Sequence, residues 1–497
     1  MKLEKELEKQ IDIRGISKDQ LDKQLNTYKQ GAPKLIIDRI ASINDGIIAI
    51  DDVEKSRLIN IYNIQKQNLV IYKFTPASGM ASRMFKGLSE LLNSKRKNEM
   101  SRYFFNNLRN FPFYKEMMVK FNKRHPEIKH LGNLTNKLIF LDFILNKEGL
   151  DYINTPKALI KFHQYDFDNK SALEEQIEES LHYCISKDQT INMHFTIKPL
   201  FINEFQKVVE DYIQANNEYS TLKFNINFST QNPNTDTIAV NKNLKPFKNK
   251  NGKFIFRAGG HGALIDNLNN LDADIIFIKN IDNVCHRNHI EETIKHKQVL
   301  GGKLLCLQEK THKHLNLINT KPDEINLIEV VDFVKKNFSI EVSNENLNKE
   351  FLFNLLNKPI RVCGMIKNQG DAGGGPFWVK KNKKENCLQI VESTQIDTAD
   401  KDQLAILHQS THFNPVDIVC SFKDYRGNKF DLKEFVDNDA VFISNKSLEG
   451  MPIKALELPG LWNGGMSKWL TVFVEVPIQT FNPVKSVTDL LSPMHQA

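Results

Sequence analysis

What most constrains this chain is the alternation of short, almost wholly apolar runs with amphipathic stretches. Asn68–Thr75 (NLVIYKFT) is a continuous apolar run stopped by Pro76, and TINMHFT (190–196), FNINF (224–228), ADIIFIKN (273–280) and KLLCL (303–307) repeat the pattern. Between them lie stretches of helical spacing, Leu200–Tyr212, the segment after Gly262, and Ile290–Val299. Runs that are apolar at every position read as strands buried on both faces, and alternating them with helices predicts a mostly parallel sheet covered on both sides. Further strands are expected at RVCGMI, PFWV, LQIV, DIVC, AVFIS and TVFVEV, turning the sheet into a mixed one. The expectation is an α/β fold with one large domain over residues 68–497. A helical cap over 1–67, with apolar positions at Leu35, Ile36, Ile37 and Ile40, and a helical insertion over about 88–187 complete it.

A chain of 497 residues, 40% apolar and 26% charged, can bury a large core. Its longest apolar stretches are broken well short of the ~18 residues of a membrane span, so a membrane protein is not expected. The start, MKLEKELEKQ, is charged from its second residue and has no apolar segment, which predicts no secretory signal and a cytoplasmic location. The six cysteines stand singly, without a C-x-x-C pair, against both a disulfide framework and a zinc ribbon. The net charge of +7 is spread along the chain and gives no nucleic-acid footprint. A few well-placed lysines would still be enough to focus a field on a polyphosphate.

Five segments could carry chemistry. In Pro76-Ala77-Ser78-Gly79-Met80-Ala81-Ser82-Arg83-Met84, small residues between a strand and a helix let backbone N–H groups approach an anion, and Arg83 adds a charge; an ordinary tight turn reads equally well. Ser78 is not in a G-x-S-x-G elbow, so it is not a hydrolase nucleophile. In Arg257-Ala258-Gly259-Gly260-His261-Gly262 the glycines leave bare backbone for a planar ligand, and His261 can donate to a phosphate or hydroxyl. Asp282 follows a strand, where open α/β sheets bind ligands and a hard carboxylate suits Mg²⁺ shared with phosphates; capping the next helix is the plain alternative. Cys285, His286, His289 and His296 near it lack a second cysteine pair for a soft-metal site. Gly373-Gly374-Gly375-Pro376-Phe377-Trp378 with His412 and Asn414 could shape a sugar pocket, and Lys485 lies between a strand and a helix start.

Taken in order, these segments resemble the UTP-glucose-1-phosphate uridylyltransferases and related sugar-nucleotide pyrophosphorylases. ASGMASRM resembles their glycine-rich loop, RAGGHGALIDNL their P-G-G-H-G segment, IIFIKNIDN their F-V-S-N-V-D-N, and QGDAGGGPFWV their D-x-K-G-G. LQIVESTQI, HFNP and ALELPGLWNGGM match further segments, and VEVPIQTFNPVKSVTDLL is close to their V-P-R-S-R-F-x-P-V-K-T-x-S-D-L-L. The sequence also resembles, nearly end to end, the bacterial family named domain of unknown function 4301. The Pro-Lys pair that follows the loop in the pyrophosphorylases has no counterpart there, and Lys86 is the nearest lysine.

The resemblance implies a nucleotide-diphospho-sugar transferase fold, GT-A-like and Rossmann-type, and a nucleotidyltransferase. A sugar 1-phosphate would attack an NTP, UTP foremost, releasing pyrophosphate, with no nucleic acid or membrane as partner. It implies that Ala77, Ser78, Gly79 and Ser82 bind the nucleotide phosphates, that Gly259, Gly260 and Gly262 face its base, and that His261 also binds the nucleotide. Arg83, Lys86 and Lys485 would then be catalytic, Asp282 would hold Mg²⁺, and Glu392, His412, Asn414 and Glu457 would contact the sugar. A glycosyltransferase consuming a nucleotide sugar, or a non-catalytic nucleotide-sugar binder of the same fold, are the alternatives.

Overall fold

In the computed structural model the first apolar run becomes the strand Ile71–Pro76, which pairs in parallel with Thr190–Thr196, Tyr72 opposite Asn192 and Thr75 opposite Phe195. Phe74, Ile191, Met193 and Phe195 are fully buried, as a strand covered on both faces requires. The structure describes residues 4–497 apart from 167, 217–218, 344–346, 371–372, 382–384 and 449, so Asp371 and Ala372 of the glycine-rich QGDAGGG segment lie outside the described residues. The chain divides into two units, one of residues 1–71, 229–278 and 298–477, the other of residues 72–228, 279–297 and 478–497.

The second unit holds the parallel pair just described, with the strand Lys223–Ser229 beside Thr190–Thr196. The helices Lys86–Ser94, Glu99–Asn106, Tyr114–Arg124 and Leu134–Leu145 lie in the segment read as a helical insertion and pack around buried Phe85, Phe104, Phe111, Phe113, Phe121 and Phe140. The insertion is not wholly helical. Lys161–Gln164 and Asn169–Ser171 pair antiparallel, and Ser171 then caps the helix Ala172–Tyr183 in a reciprocal capping box with Glu174.

In the first unit, Gly46–Ile48, Leu470–Glu475 and Ile360–Lys367 run parallel, and Ile418–Ser421 and Ile275–Ile278 continue antiparallel. The α/β class and the mixed sheet are therefore as the alternation predicts. The helices Lys5–Arg14 and Lys18–Gln30 lay Leu7, Ile11, Leu21 and Leu25 against Ile238, Val240, Phe254 and Leu456. Among the described residues no helix is long and apolar enough to cross a membrane.

Two local expectations are corrected. Residues 1–67 are not all helical, because Ile37–Ile40 is a strand antiparallel to Gly375–Lys380 and Gly46–Ile48 joins the sheet. Isoleucine disfavours a helix only slightly, and pairing with Gly375–Lys380 decides the outcome by burying Ile37 against Phe377 and Val379. KLLCL is not a strand but lies inside the helix Glu291–Thr320. Leu300, Leu304 and Leu307 are buried at helical spacing, and Gly302 lets the helix close on Leu58, whose carbonyl oxygen would stand 2.1 Å from any Cβ at that position.

Candidate functional site

The second unit assembles its polar cluster from four separate stretches of sequence. After the strand Ile71–Pro76, Ala77, Ala81, Met84 and Phe85 turn inward, while Ser78, Gly79, Ser82 and Arg83 stay exposed. A Cβ on Gly79 would meet nothing within 4 Å, so the loop presents open backbone on that side. The loop is pinned by Thr155–Lys157: the Ala81 N–H donates to Thr155 O (3.0 Å), the Lys157 N–H donates to Gly79 O (2.9 Å), and Met80 forms a β-bridge with Pro156. The Lys157 ammonium donates to Asp282 Oδ2 (2.8 Å) and also to the Val484 carbonyl. The Val484 N–H donates to Asp282 O (3.2 Å), the Asn482 N–H to Asn283 Oδ1 (2.8 Å), and the Val487 N–H to Met84 O (2.9 Å). The loop, Asp282 and the 482–487 segment are thus brought together, as the sequence order alone could not show.

Asp282 is not a helix cap. The short helix that follows, Arg287–His289, is capped by the His286 side chain, while the Asp282 carboxylate takes the Lys157 ion pair. Lys485 is exposed, its ammonium 5.7 Å from the centroid of the Phe481 ring, and its N–H is held by Asp489 Oδ2 (2.7 Å). Lys86 lies along its own helix, its ammonium 3.9 Å from Glu90 Oε1 and its side chain 75% exposed. The lysine that reaches Asp282 is Lys157, which sequence reading passes over. No local pattern marks it, because it reaches the loop only through the bridge between Met80 and Pro156.

Beneath this cluster lies a buried ionic network. Glu179 receives Lys73 (3.1 Å), Lys279 (2.6 Å) and the Tyr183 hydroxyl (2.6 Å), and the Gln176 amide donates to the carbonyls of Asn280 (2.9 Å) and Ile281 (3.2 Å). Burial pulls Lys73 down to about 8, while Lys279, Lys73 and Lys297 hold Glu179 far below the usual carboxylate range against its own desolvation. The turn that carries Asp282 is therefore held from below by the Gln176 amide, and Lys279 just before it by a charge-assisted bond to Glu179.

The first unit gathers a second cluster. The His261 imidazole stacks on Trp462, its Nδ1 accepts the Leu461 N–H (3.1 Å), and its Nε2 faces Glu392 Oε1 at 3.8 Å. Acceptance at Nδ1 places the proton of the neutral ring on Nε2. Gly260, at φ 78°, passes Glu457, whose Oε2 would be 3.1 Å from a Cβ. Gly259 and Gly262 lie so close to the backbone at Thr235 and Pro459 that a side chain on either would collide with a carbonyl oxygen. The glycine segment, Glu392 and Glu457 therefore lie close together: His261 faces Glu392, while Glu457, paired with Lys446 (3.4 Å), lies beside Gly260, and a donor next to a carboxylate suits hydroxyls better than phosphates.

His412 and Asn414 stand apart from that group in role. The Asn414 amide donates to Gly364 O (2.9 Å) and accepts the Val416 N–H (3.1 Å), and the side chain is buried. His412 is buried between Thr411 Oγ1 (2.8 Å) and Glu475 Oε1 (3.4 Å). Both side chains are engaged within the fold, and the Asn414 backbone N–H separately donates to Gly374 O (2.8 Å). A direct hydroxyl contact would require breaking these bonds.

The chain belongs to the family described as domain of unknown function (DUF4301), which matches residues 4–496. None of the curated proteins matches it. Among solved structures it is similar to the uridine diphosphate N-acetylglucosamine pyrophosphorylase from Trypanosoma brucei, at 12% identity over 95% of this chain and 74% of that one, with a TM-score of 0.49. It is similar also to a UDP-glucose pyrophosphorylase mutant from Leishmania major in complex with UDP-glucose, at 12% identity over 95% of this chain and 73% of that one, TM-score 0.43.

Proposed function

We propose that this protein is a nucleotidyltransferase that joins a sugar 1-phosphate to an NTP, UTP foremost, and releases pyrophosphate. The observation that carries the reading is the convergence of the 77–84 loop, Lys157, Asp282 and the 482–487 segment in the second unit. In-line displacement at phosphorus needs positioning and charge neutralisation more than a covalent nucleophile. Exposed loop backbone and Arg83 bind the phosphates, Lys157 and Lys485 neutralise charge that develops on them, and the Gln176 amide and the Lys279–Glu179 pair hold the Asp282 turn from below. Taken by itself, the first unit's cluster of His261, Glu392 and Glu457 offers the donor and acceptors that sugar hydroxyls need.

Magnesium fits this cluster in one way only. Among the described residues no group of three or more His, Cys, Asp or Glu could cage a metal, and Asp282 offers a single carboxylate. That donor set suits a hard cation that keeps its waters and arrives with phosphates. When bound, the metal supplies charge neutralisation on the nucleotide phosphates; Asp282 holds it from the protein side.

The test is a matrix of NTPs against sugar 1-phosphates with pyrophosphate detection, expected to give turnover for at least one pair. Release of a nucleoside diphosphate from a nucleotide sugar would instead identify a glycosyltransferase. A binder without turnover is the second reading, favoured by one observation, the neutralisation of Asp282 by Lys157. Nucleotide-sugar binding with no turnover across the matrix would establish it.

A further inference from the structure

Asp282 already has a cation. The Lys157 ammonium lies 2.8 Å from its Oδ2, both side chains are largely shielded (13% and 23% exposed), and a second hydrogen bond to the Val484 carbonyl holds the ammonium in place. The same residue is tied through its backbone N–H to Gly79 of the loop. Lys157 thus stands at the junction of the proposed metal ligand and the proposed phosphate loop. A divalent ion approaching Asp282 alone meets a neutralised carboxylate and must displace or repel an ammonium. If phosphates arrive with the ion, the displaced ammonium gains new anionic partners beside the loop to which its backbone is fixed.

From this geometry we propose that Lys157 is an internal counter-ion that makes divalent-metal binding at Asp282 conditional on a phosphate ligand. The inference rests on the nucleotidyl-transfer reading for the identity of that ligand, but the ion pair itself does not depend on it. To the extent that phosphate relieves the displaced ammonium, metal and nucleotide each raise the other's affinity by the same factor. Removing its charge has two effects of opposite sign: metal alone binds more tightly, and nucleotide in the presence of metal binds more weakly.

The experiment measures Mn²⁺ binding to the full chain by electron paramagnetic resonance and by calorimetry, without and with UTP. In Lys157→Met the Mn²⁺ affinity without UTP rises about tenfold or more, and the UTP affinity with Mn²⁺ falls about tenfold, so the coupling between the two shrinks. Lys157→Arg, which keeps the charge, stays near the parent in Mn²⁺ affinity. Should the Met variant not fold, Lys157→Gln retains a hydrogen-bond donor at this position without the charge and replaces it. An unchanged or weakened Mn²⁺ affinity without UTP in a folded charge-free variant overturns the proposal, even if the parent turns over NTPs. Conversely, a parent that binds no NTP at all removes the nucleotidyltransferase reading, while the rise in Mn²⁺ affinity still tests the counter-ion.

Discussion

The imidazole of His261 lies flat on the indole of Trp462, with ring centroids 4.1 Å apart and planes inclined by 21°. The stack and the Leu461 N–H fix the ring so that Nε2 faces Glu392. Behind it, buried Arg361 donates to the Trp462 carbonyl (2.6 Å) and to Thr471 Oγ1 (2.9 Å), which anchors the indole's own backbone.

Removing the indole should loosen His261 without unmaking the fold. An aromatic pair is worth about 0.5–1.5 kcal/mol beyond its area, so Trp462→Ala is expected to weaken nucleotide-sugar binding by roughly two- to tenfold, and Trp462→Phe by less. Calorimetric titration of UDP-glucose into parent and variants measures this. Equal affinities in all three would mean that His261 does not meet the ligand.

The glycines of the same segment separate backbone strain from collision. At Gly260 the backbone (φ 78°, ψ −168°) lies in a region essentially confined to glycine, while its neighbour, the Glu457 carboxylate, can move, so Gly260→Ala costs about 1–3 kcal/mol from the backbone alone. At Gly262 an added Cβ would stand 2.2 Å from the Pro459 carbonyl oxygen, where backbone must move, and Gly262→Ala should cost about 3 kcal/mol. Urea unfolding of both variants decides it, and a Gly262→Ala variant as stable as the parent would contradict the packing described.

How much of this was legible in the sequence depends on range. The strand Ile71–Pro76 and its turn are readable because an uninterrupted apolar run and a proline state them locally. Asp282 and the 482–487 segment can be singled out by residue order, but that they meet is visible only in the hydrogen bonds of Val484 and Asn482. Lys157 is not readable, because only the bridge between Met80 and Pro156 brings it to the loop, and tertiary pairing leaves no periodicity in the text. Ile37–Ile40 fails for the same reason: its partner Gly375–Lys380 lies far along the chain. Asn414 reads as a hydroxyl partner until the carbonyl and N–H that occupy its amide are seen.

Acid should destabilise the protein through two buried histidines of the second unit. Burial lowers His194 to about 4, and burial with the neighbouring His163 lowers His495 to about 3, its Nδ1 lying 2.7 Å from His163 Nε2. An unfolded histidine titrates near 6.5, so between that pH and these values the unfolded chain binds more protons than the folded one. The stability they lend is complete above about 6.5 and is lost as pH falls, by up to about 1.4 kcal/mol per pH unit for each ring. The urea midpoint should therefore fall between pH 7 and pH 4.5, and less steeply in His495→Gln. Parallel profiles for parent and variant would show that His495 is not held neutral by the fold.

The segment after Asn482 gives the most direct test of the proposed reaction. Its backbone is locked to Asp282 through Val484, while Lys485 is exposed, with its N–H held by Asp489 Oδ2 and its ammonium 5.7 Å from the centroid of the Phe481 ring. A lysine that met phosphate at ~4 Å in a medium of effective dielectric ~20 would gain about 4 kcal/mol before desolvation and screening, and solvent exposure discounts that to roughly half. Lys485→Ala is accordingly expected to lower kcat/KM by about 10²-fold, with a melting temperature close to the parent's because no apolar side chain leaves the core. Lys485→Arg should recover only part of the loss, since the guanidinium fork places its charge differently. Asp489→Asn provides the contrast: it weakens the cap on the Lys485 and Ser486 N–H groups and should cost stability as well as rate. If Lys485→Ala turned over like the parent while Asp489→Asn did not, the segment would serve to brace Asp282 and the charge of Lys485 would have no part in the chemistry.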